Sequence, residues 1–200
     1  SGKCMTELYG LVLAGGLSTR MGQDKAGLIY RGRTQLEAAF DLVSSVVLSC
    51  FVSVRQSQVD DPLRGEFPVI VDQSEIDGPA AGLLSAHARF PAASWLVVAC
   101  DLPLLDRGTL DHLLLSRDGK HDAYAYRSEH DGLPEPLCAV WEPAALEALK
   151  RQVDAGKKCP RKCLINSDTL LIAPVNAGAL DNINTPQERL DAARRLGEGA

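Results

Sequence analysis

The sequence predicts an α/β fold in which a mostly parallel, mixed sheet is covered by helices. Short apolar runs alternate with amphipathic segments along the first 115 residues, as expected for consecutive β-α-β units. The runs at 8–14 and 95–100 are apolar almost throughout, which is typical of strands buried on both faces of a sheet. Residues 36–47 instead carry apolar side chains at the spacing of a helix. We therefore expect a three-layer sandwich with its ligand site at the carboxyl ends of the strands.

Four strands and three helices are predicted in the first half of the chain. Thr34 and Asp106 are N-cap candidates, and Pro79 occupies a first-turn position, so each residue marks the start of a helix. The strands are short apolar runs that lie between these helices. In chain order, we expect strands at 8–14, 47–54, 69–71 and 95–100, and helices at 34–46, 79–90 and 106–116.

The second half is less regular. Residues 122–127 and 136–141 indicate strands on either side of the loop "SEHDGLPE", and 143–153 is an amphipathic helix. A strand follows at 169–175. The last helix is expected at 185–196, where Thr185, Pro186 and Glu188 form a capping box with proline in the first turn.

Composition restricts the class of protein. The chain has 200 residues, a mass of 21.5 kDa and a net charge of −5. This length suits one domain over 1–200, with halves at about 1–115 and 116–200. An acidic chain is a poor candidate for binding nucleic acid or an anionic membrane surface. No apolar segment is long enough to cross a membrane, so we expect a cytoplasmic protein.

The cysteines and histidines do not form a metal-binding pattern. Cys50, Cys100 and Cys138 lie in apolar runs and are expected to be buried and reduced. The C-x₃-C spacing of "CPRKC", at 159–163, fits no common zinc site and is interpreted as two incidental thiols. The four histidines lack metal spacing and are expected on helix or loop surfaces.

The loop "LVLAGGLSTRMGQDK", at 11–25, follows the first strand and suggests phosphate binding. It contains neither the P-loop nor the G-x-G-x-x-G pattern. Gly15 and Gly16 would let backbone N–H groups approach an anion, Arg20 can donate two parallel hydrogen bonds, and Lys25 supplies a point charge. The alternative is a glycine turn with solvated charges.

Three further segments follow predicted strands or precede a helix. Asp72 ends the third strand, and the small residues of "GPAAG", at 78–82, would admit a flat group or simply pack tightly on the sheet. Asp101 follows a buried strand and is either a Mg²⁺ ligand or the cap of a turn. Asn182 and Asn184 would project from one face of an extended segment and suit a heterocycle such as a pterin, or else serve turn chemistry.

A second basic cluster lies outside the predicted phosphate loop. It is either a solvated face or a site that collects an anionic second substrate. Its members are Lys150, Arg151, Lys157, Lys158, Arg161 and Lys162.

These motifs, with "VVACDLPLL", "PLCAVW" and "NINTP", resemble the molybdenum-cofactor guanylyltransferases in order and rough spacing. The resemblance runs from about Leu8 to the last helix. It implies a Rossmann-like, nucleotide-diphospho-sugar transferase-like fold. It also implies transfer of GMP from GTP to molybdopterin, with Mg²⁺ as cofactor, a nucleotide-binding first half, a pterin-side second half, and molybdoenzymes or their chaperones as further partners.

The resemblance also implies roles for individual residues. It places Lys25 on the nucleotide phosphates and Asp101 on Mg²⁺, and both would be catalytic. Arg20 is the third predicted catalytic residue, because with Lys25 and Mg²⁺ it would supply positive charge against the repulsion between two phosphate anions. Asn182 and Asn184 would bind the pterin. The other nucleotide contacts would be Leu13, Ala14, Gly15, Gly16, Ser53, Asp72, Gly78 and Pro79.

Two departures from the family pattern keep alternatives open. Ser53 stands where asparagine is frequent, and Glu135 stands where glutamine or histidine is frequent. Leu13-Ala14-Gly15-Gly16 favours GTP over CTP, since related cytidylyltransferases tend to show Leu-Ala-Ala-Gly. The alternatives are a CTP-dependent enzyme, a nucleotidyltransferase with another phosphorylated acceptor, and a catalytically silent module that binds nucleotide or delivers the cofactor.

Overall fold

A computed structural model of the protein describes residues 5–14, 27, 29–30, 33–73, 75–181, 190–191, 194–195 and 197. Within these residues the strands are β1 Leu8–Leu13, β2 Ile29–Tyr30, β3 Arg33–Thr34, β4 Ser49–Val54, β5 Val69–Val71, β6 Ser94–Ala99, β7 Ala123–Arg127, β8 Pro134–Trp141 and β9 Thr169–Ile172. The helices are α1 Gln35–Ser44, α2 Pro62–Gly65, α3 Pro79–Arg89, α4 Arg107–Leu115, α5 Pro143–Asp154 and α6 Pro160–Asn166.

Seven strands form one mixed sheet in the order β5-β4-β1-β6-β8-β7-β9. Strands β5, β4, β1 and β6 are parallel neighbours, and β7 and β9 run in the same direction. Only β8 among the seven runs the other way, between β6 and β7. The carboxyl ends of six strands therefore meet at one edge, which we call the carboxyl edge. The expected α/β fold with a mostly parallel, mixed sheet is confirmed.

Two hydrophobic clusters lie on opposite faces of this sheet. Alternate residues of β6 divide between them, because successive side chains of a strand point to opposite faces. Trp95 and Val97 join the cluster under α3, α5 and α6, whereas Leu96 and Val98 join the cluster under α1 and α4. This two-sided burial explains why β6 is apolar throughout.

Most predicted elements occur where the periodicity placed them, and four short elements were missed. The capping box of α1 pairs Thr34 with Glu37, and Asp106 caps α4 through the Thr109 N–H at 2.8 Å. The short helices α2 and α6 and the hairpin β2–β3 were not predicted. The helix expected at 185–196 lies mainly outside the described residues. No described helix has the length and apolar character needed to cross a membrane.

One histidine prediction was wrong. His87 is buried between α3 and α5, where its Nε2 lies 2.6 Å from Oε1 of Glu147. The apolar stripe of α3 predicts which side chains face the sheet. It does not predict that α5 packs against α3 and covers His87. The prediction for Cys50, Cys100 and Cys138 is confirmed, since all three are buried and free of disulfides. Burial raises the pKa of Cys50 and of Cys138 to about 12, so both thiols stay protonated.

A buried ionic cluster joins the strands at the edge opposite the carboxyl edge. The Arg117 guanidinium donates to Oε1 of Glu142 at 2.6 Å and to the hydroxyl of Ser94 at 3.0 Å. It also donates to the Thr6 carbonyl at 3.1 Å. These bonds tie the chain before β1, the start of β6 and the start of α5 together, and they lie away from every strand end that the sequence marked as functional.

Candidate active site

A cavity of about 570 Å³ opens at the carboxyl edge. This volume is within the usual range for small-molecule sites. Its lining comes from the ends of β1, β4, β5 and β6, the start of α3 and residue 137 of β8. Seven residues predicted from the sequence line it together: Leu13, Ala14, Ser53, Asp72, Gly78, Pro79 and Asp101. Gly15, Gly16, Arg20, Lys25, Asn182 and Asn184 lie outside the described residues.

Asp72 and Ser53 form the polar pair in this wall. The Ser53 hydroxyl, which is buried, donates to Oδ1 of Asp72 at 2.5 Å. Burial raises the pKa of the Asp72 carboxyl, while the Ser53 hydrogen bond and the Arg55 charge oppose that rise. Ser53 thus lies at the predicted site, where it contacts the Asp72 carboxylate directly. Its hydroxyl orients a carboxylate that the cavity partly desolvates.

We expect Asp72→Asn to stabilise the fold at neutral pH. A carboxyl whose folded pKa is raised contributes stability below its unfolded pKa of about 4 and loses it as pH rises through the folded value. Asparagine is close in shape, keeps an acceptor for Ser53, and does not titrate. Thermal unfolding from pH 4 to pH 7 should show a variant advantage that grows with pH. A variant that is less stable than wild type at pH 7 would contradict this interpretation of the carboxylate.

Glycine is required at two positions around the start of α3. Gly78 has φ 78° and ψ −168°, a conformation that L side chains rarely adopt. Gly82 lies inside the helix, and a Cβ there would stand 2.5 Å from Oγ of Ser53 and 2.9 Å from Cδ2 of Leu13. The helix therefore approaches β1 and β4 as closely as glycine allows, which confirms tight packing and also shapes the cavity wall.

Gly82→Ala is expected to destabilise the protein by about 1–3 kcal/mol, because the added methyl must displace Ser53 or Leu13. Chemical denaturation measures this change. The matched control is Gly108→Ala in α4, where the nearest atom to an added Cβ is 3.8 Å away. Helix propensity should make the control neutral or more stable, by up to about 1 kcal/mol. Equal behaviour of the two variants would show that Gly82 is not sterically required.

Asp101 and Glu135 bring two carboxyl groups to the carboxyl edge, where Asp101 lines the cavity. Asp101 follows β6, and Glu135 lies on the neighbouring β8 with a side chain that is 16% exposed. Burial raises the pKa of Glu135, the Arg161 charge lowers it, and the negative charge of Asp101 raises it further, so the two carboxyl groups interact. Asp101 lies in the turn between β6 and α4, and Asp106 caps α4. The Mg²⁺-ligand and turn-cap interpretations of Asp101 both stay predictions.

The donors at this position suit a hard divalent cation. Mg²⁺ takes carboxylate oxygens, usually one or two, and completes its shell with water and substrate phosphates. No group of three or more His, Cys, Asp or Glu side chains within the described part of the chain is arranged to hold a metal. A single Asp101 carboxylate, with Glu135 nearby, fits the sparse protein coordination that Mg²⁺ prefers.

The segment before Asn182 is held at the carboxyl edge. Nδ2 of Asn176 donates to Oδ2 of Asp106 at 2.8 Å, and Asp181 lies 3.4 Å from Nε2 of His130. These contacts attach residues 173–181 to the loops that follow β6 and β7. The chain therefore reaches residue 181 at the carboxyl edge.

Sequence reasoning missed several cavity residues. Arg55, Gln56 and Ser57 follow β4 directly and line the wall near Asp72. The rule that ligand sites lie after parallel strands could have identified them. The second basic cluster was noted, and one member, Lys158, lies 3.9 Å from Asp77 at the cavity wall. Two other members of the cluster, Lys150 and Arg151, lie on α5 and are exposed.

Comparison with known proteins assigns the chain to a family. A family model described as "MobA-like NTP transferase domain" matches residues 10–169. That range includes every residue that lines the cavity. The chain belongs to this family.

Two relatives of this MobA-like chain have names that refer to the molybdenum cofactor, and one solved structure shares its fold. It is 36% identical over 183 residues to a molybdenum cofactor biosynthesis bifunctional protein from Synechocystis, covering 92% of the chain but only 53% of that protein. A molybdenum cofactor guanylyltransferase from a Shewanella strain is 26% identical, with 96% of this chain and 98% of the relative covered. The structure of molybdopterin-guanine dinucleotide biosynthesis protein A from Archaeoglobus fulgidus has a TM-score of 0.80 at 23% identity, covering 96% of this chain and 100% of that one. The last likeness confirms the fold.

Proposed function

We propose that this protein transfers GMP from GTP to the terminal phosphate of molybdopterin and releases pyrophosphate. The observation that carries the proposal is the cavity at the carboxyl edge, where seven predicted residues from the ends of β1, β4, β5 and β6 and the start of α3 meet. Apart from Ser53, their types and order match those expected for a MobA-like nucleotidyltransferase. The names of the Synechocystis and Shewanella relatives supply the class of acceptor and the guanine nucleotide.

The nucleotide would lie along the wall formed by β1, β4 and α3. Backbone groups of Leu13 and Ala14 and the glycines that follow would approach the phosphates. Asp72, oriented by Ser53, would hold the guanosine part. The positive φ at residue 78 favours glycine, and Gly78 leaves this wall without a side chain at that position.

The reaction needs few catalytic side chains. An oxygen of the acceptor phosphate forms a bond to the α-phosphorus of GTP, and the bond to the β-phosphate oxygen breaks as pyrophosphate leaves. The attacking oxygen is ionised at neutral pH, so no general base is required. Repulsion between the two anions is the obstacle, and Arg20 and Lys25 would reduce it by electrostatic stabilisation.

Asp101 would hold Mg²⁺, with Glu135 as the neighbouring carboxyl group. When bound, this ion neutralises phosphate charge and helps to orient the triphosphate. Glu135 and Arg161 would define the acceptor side, together with Asn182 and Asn184. There, Nη2 of Arg161 lies 3.8 Å from Oε2 of Glu135. Molybdoenzymes or their chaperones would receive the product.

The deciding experiment incubates the purified protein and Mg²⁺ with molybdopterin and either GTP or CTP, and measures pyrophosphate and the dinucleotide product. Product from GTP alone is expected. Product from CTP would assign a cytidylyltransferase and identify Ser53 as part of the altered nucleotide site. Absence of product with both nucleotides, while GTP still binds, would favour another acceptor or a silent binding module. Pyrophosphate release from GTP with a different phosphorylated acceptor would separate these two.

A further inference from the structure

Arg64 is a fully buried cation close to the start of the predicted phosphate loop. It lies in α2, a four-residue helix between β4 and β5, and is 1% exposed. Its Nη1 forms an ion pair with Asp61, which also caps α2. A buried guanidinium is unfavourable unless it is paired and hydrogen-bonded. The buried guanidinium therefore needs hydrogen-bond acceptors in addition to Asp61.

Two donors of Arg64 converge on one backbone oxygen. Nε and Nη2 donate to the Ala14 carbonyl at 2.8 and 2.6 Å. Charge-assisted bonds from a planar guanidinium are short and directional. The Ala14 N–H in turn donates to the Ser53 carbonyl at 3.3 Å. Both backbone groups of Ala14 are thus held, one by β4 and one by α2.

Ala14 is the last described residue before the glycine loop and lines the cavity. Its carbonyl direction sets how the chain leaves β1. Helix α2 also reaches the far end of the same segment, because a Cβ built on Gly27 would stand 3.7 Å from Cδ2 of Leu63. Adjacent residues of α2 therefore lie beside the described residues on either side of the loop, with Arg64 bonded to Ala14 and Leu63 close to Gly27.

We propose that Arg64 is a positioning residue for the nucleotide phosphates, acting through the Ala14 carbonyl without contacting substrate. This inference rests on the proposed function for the ligand, GTP, and on the contacts above for the mechanism. Arg64 holds the Ala14 carbonyl, and with it the end of β1 at the cavity wall, in one direction before GTP arrives. Such pre-organisation raises affinity by reducing the ordering that binding requires.

The test compares Arg64→Lys with Arg117→Lys. Both variants keep a positive charge and lose a buried guanidinium fork, but Arg117 lies at the opposite edge of the sheet. Hydrogen–deuterium exchange over residues 14–27 is measured without nucleotide, and KM for GTP and for the acceptor is measured at saturating Mg²⁺. We expect Arg64→Lys to speed exchange over 14–27 and to raise KM for GTP about tenfold, with KM for the acceptor unchanged.

The control should lose thermal stability without either effect. Unchanged exchange over 14–27 and unchanged KM for GTP in Arg64→Lys would overturn the proposal, as would equal changes in both variants. If Arg64→Lys does not fold, Asp61→Asn replaces it, because loss of the counter-charge loosens the same guanidinium. Asp61→Asn should give a smaller rise in the exchange rate over 14–27 and in KM for GTP. No rise in either quantity overturns the proposal. If the wild type fails to bind GTP, the proposed function falls, and exchange over 14–27 alone decides the role of Arg64.

Discussion

Asp101→Asn is expected to lower kcat/KM for guanylyl transfer by a factor of about 10², up to about 10³, the range found when one electrostatic group at a transition state is removed. The substitution keeps the shape of the side chain and removes the negative charge that would hold Mg²⁺. The fold should be retained, because α4 is capped by Asp106 and does not depend on Asp101. Steady-state kinetics over a Mg²⁺ titration would measure the loss and a shift to higher Mg²⁺ concentration.

Asp111→Asn is the matched control for the lost carboxylate. Asp111 lies on α4 and pairs with Arg107 at 3.1 Å, and its side chain is 48% exposed. An exposed pair of this kind contributes little to stability. Kinetics and Mg²⁺ dependence of the control should match wild type. Wild-type turnover by folded Asp101→Asn would remove Asp101 from the site chemistry and return the residue to a structural role.

Lys25→Ala is expected to lower kcat/KM for GTP by a factor of about 10², because a point charge on the phosphates would be lost. Lys25 lies outside the described residues, so this prediction rests on the loop motif and on the placement of Ala14 at the cavity. GTP affinity, measured by calorimetry with a non-hydrolysable analogue, should weaken in parallel.

The comparison variant for this cation is Lys120→Ala. Lys120 is exposed in the turn before β7, at the edge opposite the cavity, so its removal changes net charge equally without touching the site. Both variants should unfold at nearly the same temperature. A drop in GTP affinity shared by the two would point to a general charge effect, and an active Lys25→Ala would leave Arg20 as the candidate phosphate ligand.

The elements that sequence reasoning identified are those with strong local signals. The stripe and capping box of α1 and the unbroken apolar run of β6 depend on neighbouring residues alone, and both were confirmed. Helix α2 was missed because four residues cannot show a helical period. Its conformation depends on the Asp61 cap and on the contact of Arg64 with a carbonyl 50 residues away in the chain. His87 was predicted on the surface because its burial depends on α5, which lies far from α3 in the chain.

Asp72, Asp101 and the start of α3 were found by one rule, that ligands bind where parallel strands end, whereas Leu13, Ala14 and Ser53 came from the family resemblance. The rule succeeds for Asp72 and Asp101 because the residue after a strand must emerge at the edge of the sheet, whatever its neighbours are. It says nothing about which of these residues touch. The Ser53–Asp72 hydrogen bond and the approach of Glu135 to Asp101 could not be predicted, because they depend on which strands are adjacent.

The sequence by itself therefore determined the α/β class, the set of strand-end residues and the type of chemistry that they suit, since each depends on local pattern and residue type. The tertiary structure alone decided how these residues combine. The order β5-β4-β1-β6-β8 places Ser53 beside Asp72 and Glu135 beside Asp101, and the crossover from β4 to β5 brings Arg64 under Ala14. Strand order follows from the joint burial of two sheet faces by helices distant in the chain, a property that no local segment carries.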